Sequence, residues 1–203
     1  MLPRLHVVTD DDVLARPSFS TTAVALARSH GPRIALHLRG HGTPARRLYE
    51  LALALESAAG GTGVRILVAD RLDVALAVRG AGVRLGAASL PVPVARALIG
   101  ERLLACSVHT VAGAVSAARD GANVLVVGTI WPSASHPGRK AAGVGLLAEV
   151  AGRVEIPVVA IGGVSPERAA EAVAAGAAGV AVLGGVWNAS DPLSAAARYL
   201  EEV

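Results

Sequence analysis

Eight short runs of β-branched and apolar residues recur along the chain, each followed by an alanine-rich stretch with helical spacing. This beat constrains the fold more than any other feature. It predicts strands at Leu5–Thr9, Arg33–Leu38, Val64–Val68, Gly82–Leu85, Leu103–Cys106, Asn123–Val127, Pro157–Ala160 and Gly179–Leu183. Helices are predicted between and after them, around Thr21–Ser29, Pro44–Ala58, Arg71–Val78, Val92–Ile99, Val111–Arg119, Val144–Ala151, Pro166–Ala175 and Asp191–Leu200. A parallel return needs a crossover longer than a turn, so the alternation implies a parallel sheet. Eight such units in 203 residues favour closure over an open doubly wound sheet. The expectation is one (β/α)₈ TIM barrel spanning residues 1–203. Ser165-Pro166-Glu167 and Asp191-Pro192 read as helix starts, while Asp120-Gly121-Ala122 and Ala175-Gly176-Ala177 read as helix ends.

Composition narrows the function. Hydrophobic residues make up 53% of the chain but aromatics only 2%, which leaves a core of Ala, Val, Leu and Ile and little with which to stack nucleobases. The net charge of +3 comes from arginines scattered along the chain, with Lys140 the single lysine. No nucleic-acid partner is expected from so dispersed a charge. Cys106 is the one cysteine and sits in an apolar run, which excludes a disulfide framework and predicts an inert buried thiol. Ala172–Ser190 carries no charge, but Gly176, Gly179, Gly184 and Gly185 interrupt it, so it reads as buried barrel and no membrane partner is expected. The N-terminus shows no signal-peptide pattern, and the expected location is the cytoplasm.

Active sites of such barrels lie at the C-terminal ends of the strands. The residues there are Asp10, Arg39 with His41, Asp70, Arg84 with Ser89, Ser107 with His109, Thr129, Gly162-Gly163 and Gly184-Gly185. Two Gly-Gly pairs after strands seven and eight suit a phosphate, because glycine lets backbone N–H groups approach an anion. Residues Gly184–Ala189 have the length of the extra helix that often completes such a grip. His109 follows strand five and can move a proton near neutral pH. Arg39 can hold a carboxylate or phosphate in a two-pronged grip, and His37 should share its face. Asp70 reads as a metal ligand, an orienter of a base, or the cap of the next helix, and Asp10-Asp11-Asp12 as loop and cap. A Schiff-base aldolase is disfavoured, since Lys140 lies in a loop rather than at a strand end.

In order, Val7-Val8-Thr9-Asp10, Asp70-Arg71-Leu72-Asp73-Val74-Ala75, Gly82-Val83-Arg84-Leu85-Gly86, Ser107-Val108-His109, Val127-Gly128-Thr129-Ile130-Trp131-Pro132, Ala160-Ile161-Gly162-Gly163-Val164 and Gly179-Val180-Ala181-Val182 resemble the thiamin phosphate synthase superfamily over essentially the whole chain. That superfamily holds the magnesium-dependent synthase, which joins a pyrimidine diphosphate to a thiazole phosphate, and the metal-free TenI-type thiazole tautomerase. Where the synthase reads Gln-Leu-Arg-Glu-Lys, this chain has His37-Leu38-Arg39-Gly40-His41. Its Asn-Asp is Ala69-Asp70 here, its Gly-Gln-Glu-Asp is Gly86-Ala87-Ala88-Ser89, and its Thr-Lys falls near Ser135-His136. One metal carboxylate and two lysines of the synthase pattern are therefore absent. On that ground the resemblance implies an isomerase of the tautomerase type acting on a carboxylated thiazole phosphate, with no cofactor. His109 would be catalytic; Arg39, His37, Asp70, Ser107 and Thr129 would bind substrate; Gly162, Gly163, Gly184 and Gly185 would bind phosphate. The alternatives are the synthase, with magnesium, and a non-catalytic sensor of a phosphorylated ligand. The expected partner is a small phosphorylated heterocycle, and a short barrel of this kind is expected to form a homodimer.

Overall fold

The structure is a computed structural model that describes residues 2–133, 138 and 140–203. Within these residues the chain runs β1 (Leu5–Val8), α1 (Asp11–Ala15), α2 (Phe19–His30), β2 (Ile34–Leu38), α3 (Ala45–Ala58), β3 (Arg65–Ala69), α4 (Leu72–Ala77) and β4 (Gly82–Leu85). It continues with α5 (Val92–Ile99), β5 (Leu104–Val108), α6 (Val111–Arg119), β6 (Val124–Gly128), α7 (Gly143–Ala151), β7 (Val158–Ile161), α8 (Pro166–Ala174), β8 (Gly179–Val182), α9 (Gly184–Trp187) and α10 (Pro192–Glu202). Each strand pairs in parallel with the next, and β8 returns to β1, so the sheet closes as a (β/α)₈ barrel. No helix among the described residues is long and apolar enough to cross a membrane.

Strand periodicity sorts the side chains into two cores. Leu5, Val7, Ile34, Leu36, Val68, Val83, Cys106, Leu125, Val127, Val158 and Val180 point outward and pack under the helices. Val8, Ala35, Leu67, Ala105, Val124, Val126, Val159 and Ala181 point inward and fill the barrel. Cys106 is buried as expected, and burial pushes its thiol up to about 11.

Side chains capable of accepting an N–H start several helices. Asp10 accepts from Val13 at 2.9 Å, Thr110 from Gly113 at 3.1 Å, and Asp191 from Leu193 and Ser194 at 3.0 and 3.1 Å. Asp10-Asp11-Asp12 is thus a cap and the acidic first turn of α1, where the helix dipole favours negative charge. Asp70 does not cap α4: Arg71 occupies that position, and no side chain bonds to the first turn. The reason is backbone geometry. Asp70 sits at φ 65°, outside the extended conformation usual for an N-cap, and its carboxylate accepts from Ser89 instead.

One polar pair lies deep in the interior. His6 Nε2 donates to the Pro3 carbonyl at 3.2 Å, since a carbonyl can only accept. Its Nδ1 is then the acceptor for His37 Nε2, 2.8 Å away. Both rings are fully buried, so the neutral form is favoured, and the His6 pKa falls from 6.5 to about 4. His37 is lowered well below its usual value, by burial and then by His6 and Arg84. Between pH 6.5 and 4 the unfolded chain takes up protons that the folded chain refuses, so stability falls as pH falls through that window, by on the order of 3 kcal/mol for His6 alone. Thermal melts across this range should show the decline in wild type and lose most of it in the H6L/H37L double variant. An unchanged slope would mean the pair is not held neutral.

Candidate functional site

The strand ends open into a cavity of about 530 Å³ at the C-terminal mouth of the barrel. Arg39, Asp70, Ser107, His109, Thr129, Gly162, Gly163, Gly184 and Gly185 all line it. His37 does not. It shares the inward face with Arg39, but it lies one inward step deeper on β2, sealed against His6. The expectation that His37 touches substrate is therefore corrected, because an inward position low on the strand faces the barrel's own filling.

The glycine loops form one wall. Gly162 and Gly163 have φ of 99° and 64°, conformations that disfavour a side chain. A Cβ on Gly162 would lie 2.6 Å from Thr129 Cγ2, and one on Gly163 would lie 2.9 Å from Trp131 Cβ. The strand-six loop is drawn tightly alongside, with Ile130 and Trp131 N–H groups donating to Ile161 and Gly162 at 2.9 and 3.0 Å. Gly184 and Gly185 begin α9, where the first N–H groups of a helix lack internal acceptors. Two residues that the sequence pattern does not single out brace these loops. Tyr199 on α10 donates to the Val164 carbonyl at 3.0 Å and its ring lies where a Cβ on Gly185 would project. Arg168 donates to the Gly163 carbonyl at 2.6 Å and lies over the Trp131 ring, 5.6 Å from its centre.

The opposite wall is charged. Arg39 donates to His41 Nε2 at 2.6 Å, and its backbone N–H donates to Thr9 Oγ1 at 2.8 Å, which ties the ends of β1 and β2 together. Ser89 Oγ accepts the Gly86 N–H at 2.6 Å and donates its hydroxyl to Asp70. Arg84 rises from β4 beneath them and donates through Nε to Ser107 Oγ at 3.1 Å. Burial, and then the neighbouring Arg39, lower its pKa to about 10, while Asp70 opposes the shift. His109 Nδ1 donates to the Gly128 carbonyl, leaving Nε2 as the ring's other nitrogen. The Ser135-His136 position, where the resemblance places a Thr-Lys pair, lies outside the described residues. Among the described residues no three His, Cys, Asp or Glu side chains cluster as a metal site.

Residues 5–186 match the family described as thiamine monophosphate synthase (TMP-TENI). The chain belongs to this family. It is 42% identical, over 93% of its length and 89% of the other protein, to the thiamine-phosphate synthase of Moorella thermoacetica. The thiamine-phosphate synthase of Chloroflexus aurantiacus is 41% identical over 97% of this chain and 90% of its own. Among solved structures, a thiamine phosphate pyrophosphorylase from Pyrococcus furiosus superposes with a TM-score of 0.83 at 30% identity, covering 98% of this chain and 96% of that one.

These relatives overturn the expected isomerase. They are named as synthases at high identity over nearly the full chain, whereas the tautomerase assignment rests on a handful of missing synthase residues. Arg84, on β4, faces the same cavity as Arg39. The glycine wall is open to a direct test. G162A and G163A should each lose about 1–3 kcal/mol of stability in denaturant titrations, because both place a side chain at positive φ. Both should also weaken binding of a thiazole phosphate; wild-type affinity in either variant would remove these loops from the phosphate site.

Proposed function

We propose that the chain is a thiamine-phosphate synthase, coupling a pyrimidine diphosphate to a thiazole phosphate with release of diphosphate. The observation that carries this is the near-full-length identity of 42% and 41% to proteins named for that activity. The cavity's chemistry supports it, since it offers two anion-favouring walls rather than one. The N–H groups of Gly162, Gly163, Gly184 and Gly185 hold the monophosphate of the thiazole partner. Arg39 holds the diphosphate of the pyrimidine partner from the far wall. Ser107 and Thr129 offer hydroxyls between the two, and His109 offers Nε2 for a hydrogen bond to the substrates.

Coupling breaks the bond between the pyrimidine's side-chain carbon and the diphosphate while that carbon bonds to the thiazole. Holding both partners in line, in a site braced by Tyr199 and Arg168, converts a collision of two molecules into a positioned reaction. The leaving group gathers negative charge, so the cationic wall favours the transition state.

The residues present fit magnesium. That ion is commonly bound through one or two carboxylates plus substrate phosphates, and Asp70 supplies a carboxylate oriented by the Ser89 hydroxyl. When bound there with the diphosphate, magnesium would neutralise part of the leaving group's charge. Asp70 is also the sole non-glycine residue at positive φ among the described residues, a backbone cost consistent with a functional position.

Pyrimidine diphosphate, thiazole phosphate and magnesium, mixed with the protein, should yield thiamine phosphate and inorganic diphosphate. No product at saturating substrates would sink the proposal. S89A should raise the magnesium concentration needed for half-maximal rate by roughly 10–100-fold, because Asp70 loses the group that orients it. An unchanged magnesium dependence in S89A would detach Asp70 from the metal.

A further inference from the structure

We propose that Arg84 forms the floor of the diphosphate subsite, gripping the anion from inside the barrel with a guanidinium that lines the cavity and that no carboxylate among the described residues hydrogen-bonds. The chemical identity of the anion rests on the synthase reading; the existence of an anion site does not.

The geometry is specific. Arg84 points inward from β4, and the residues in register on either side are Ala69 and Ala105. The preceding inward residue on the same strand is Gly82. Three small neighbours leave room for the guanidinium inside the barrel. Nε is fixed on Ser107 Oγ at 3.1 Å, so the planar fork has one defined orientation. Nη1 is buried and has no hydrogen-bond partner among the described residues.

A part-buried cation with an idle, solvent-shielded donor costs stability unless something pairs with it. No carboxylate does so. The ion pairs among the described residues are Arg46–Glu50, Arg71–Asp73 and Arg119–Asp120, all on the surface, and the Asp70 oxygen nearest a donor is taken by Ser89. With a pKa of about 10 the guanidinium stays charged at neutral pH. Arg39 lines the same cavity and repels it, so two cations face one space against the single carboxylate of Asp70, and the balance is positive. An anion bearing more than one charge relieves both. The glycine loops on β7 and β8 stand across the mouth, so this second subsite is separate from the one that holds a monophosphate.

The test needs no turnover. Inorganic pyrophosphate, a thiazole phosphate and the free pyrimidine alcohol are titrated calorimetrically into wild type, R84M and R84Q, with and without magnesium. The neutral variants should bind pyrophosphate roughly 10–100-fold more weakly, the range expected for a lost charge-assisted hydrogen bond. Thiazole phosphate affinity should stay within about threefold, since the glycine wall is untouched. Unliganded R84M should melt at or above the wild-type temperature, because an unpaired buried charge has been removed. R84Q, which can still donate to Ser107, carries the test if R84M does not fold. Wild-type pyrophosphate affinity in a folded neutral variant would overturn the proposal. So would weakened binding of the pyrimidine alcohol with pyrophosphate affinity preserved, which would make Arg84 a contact to the ring. If wild type makes no thiamine phosphate but binds pyrophosphate through Arg84, the synthase reading fails and this one stands. If it turns over and the variants keep pyrophosphate affinity, the reverse holds.

Discussion

Closing eight parallel strands into a barrel leaves a fixed interior that inward-facing side chains must fill, and most of this protein follows from how they fill it. On β6, β7 and β8 the inward positions include Val124, Val126, Val159, Ile161 and Ala181, an apolar plug. On β2 to β5 they include Ala35, Ala69, Gly82 and Ala105, which are too small to fill their share. The missing volume is taken by His6, His37 and Arg84. Two imidazoles satisfy most of each other's needs, and they do so only as neutral rings. The guanidinium above them has no such internal solution. Polar side chains thus enter an otherwise apolar interior from β1, β2 and β4, and Arg84 carries that polarity up to the mouth.

At the mouth, the β7 and β8 loops supply backbone N–H groups held by Tyr199 and Arg168, while the β2 to β4 ends supply Arg39, Arg84 and Asp70. Neither wall stands alone. Gly162 can approach Thr129 only because it lacks a Cβ, and Gly163 approaches Trp131 in the same way, so the strand-six loop packs directly on the glycine loop after β7. A cavity with backbone donors on one side and cations on the other is suited to two phosphorylated partners, which is what a coupling reaction presents.

That the relatives are named synthases, against the expected isomerase, has a physical lesson. Missing residues at His41 and Ser89 suggest a lost diphosphate site if each charge is assigned to one place in the sequence. In a barrel every strand end faces the same space, so a cation can enter from a different strand. Arg84 sits in a stretch that matches the family pattern, and only its position in the folded cavity shows that it adds charge there.

The alternation of β-branched and alanine-rich runs pointed to a parallel sheet, because parallel strands require crossovers, and eight units in 203 residues favoured the closed (β/α)₈ barrel that the structure shows over an open doubly wound sheet. Strand ends carrying Arg39, Ser107, His109, Thr129 and the two Gly-Gly pairs were legible too, since the fold places every strand's C-terminal end at one mouth. Helix α1, the exclusion of His37 from the cavity, the Ser89–Asp70 contact and the bracing by Tyr199 were not. Each depends on distance across the barrel or on backbone angle, quantities that neighbouring letters do not encode. Sequence alone determined which strand ends reach the mouth of the barrel. Only the closed structure decided how deep each side chain sits, and depth is what separates His37, which serves as packing, from Arg84, which faces the cavity.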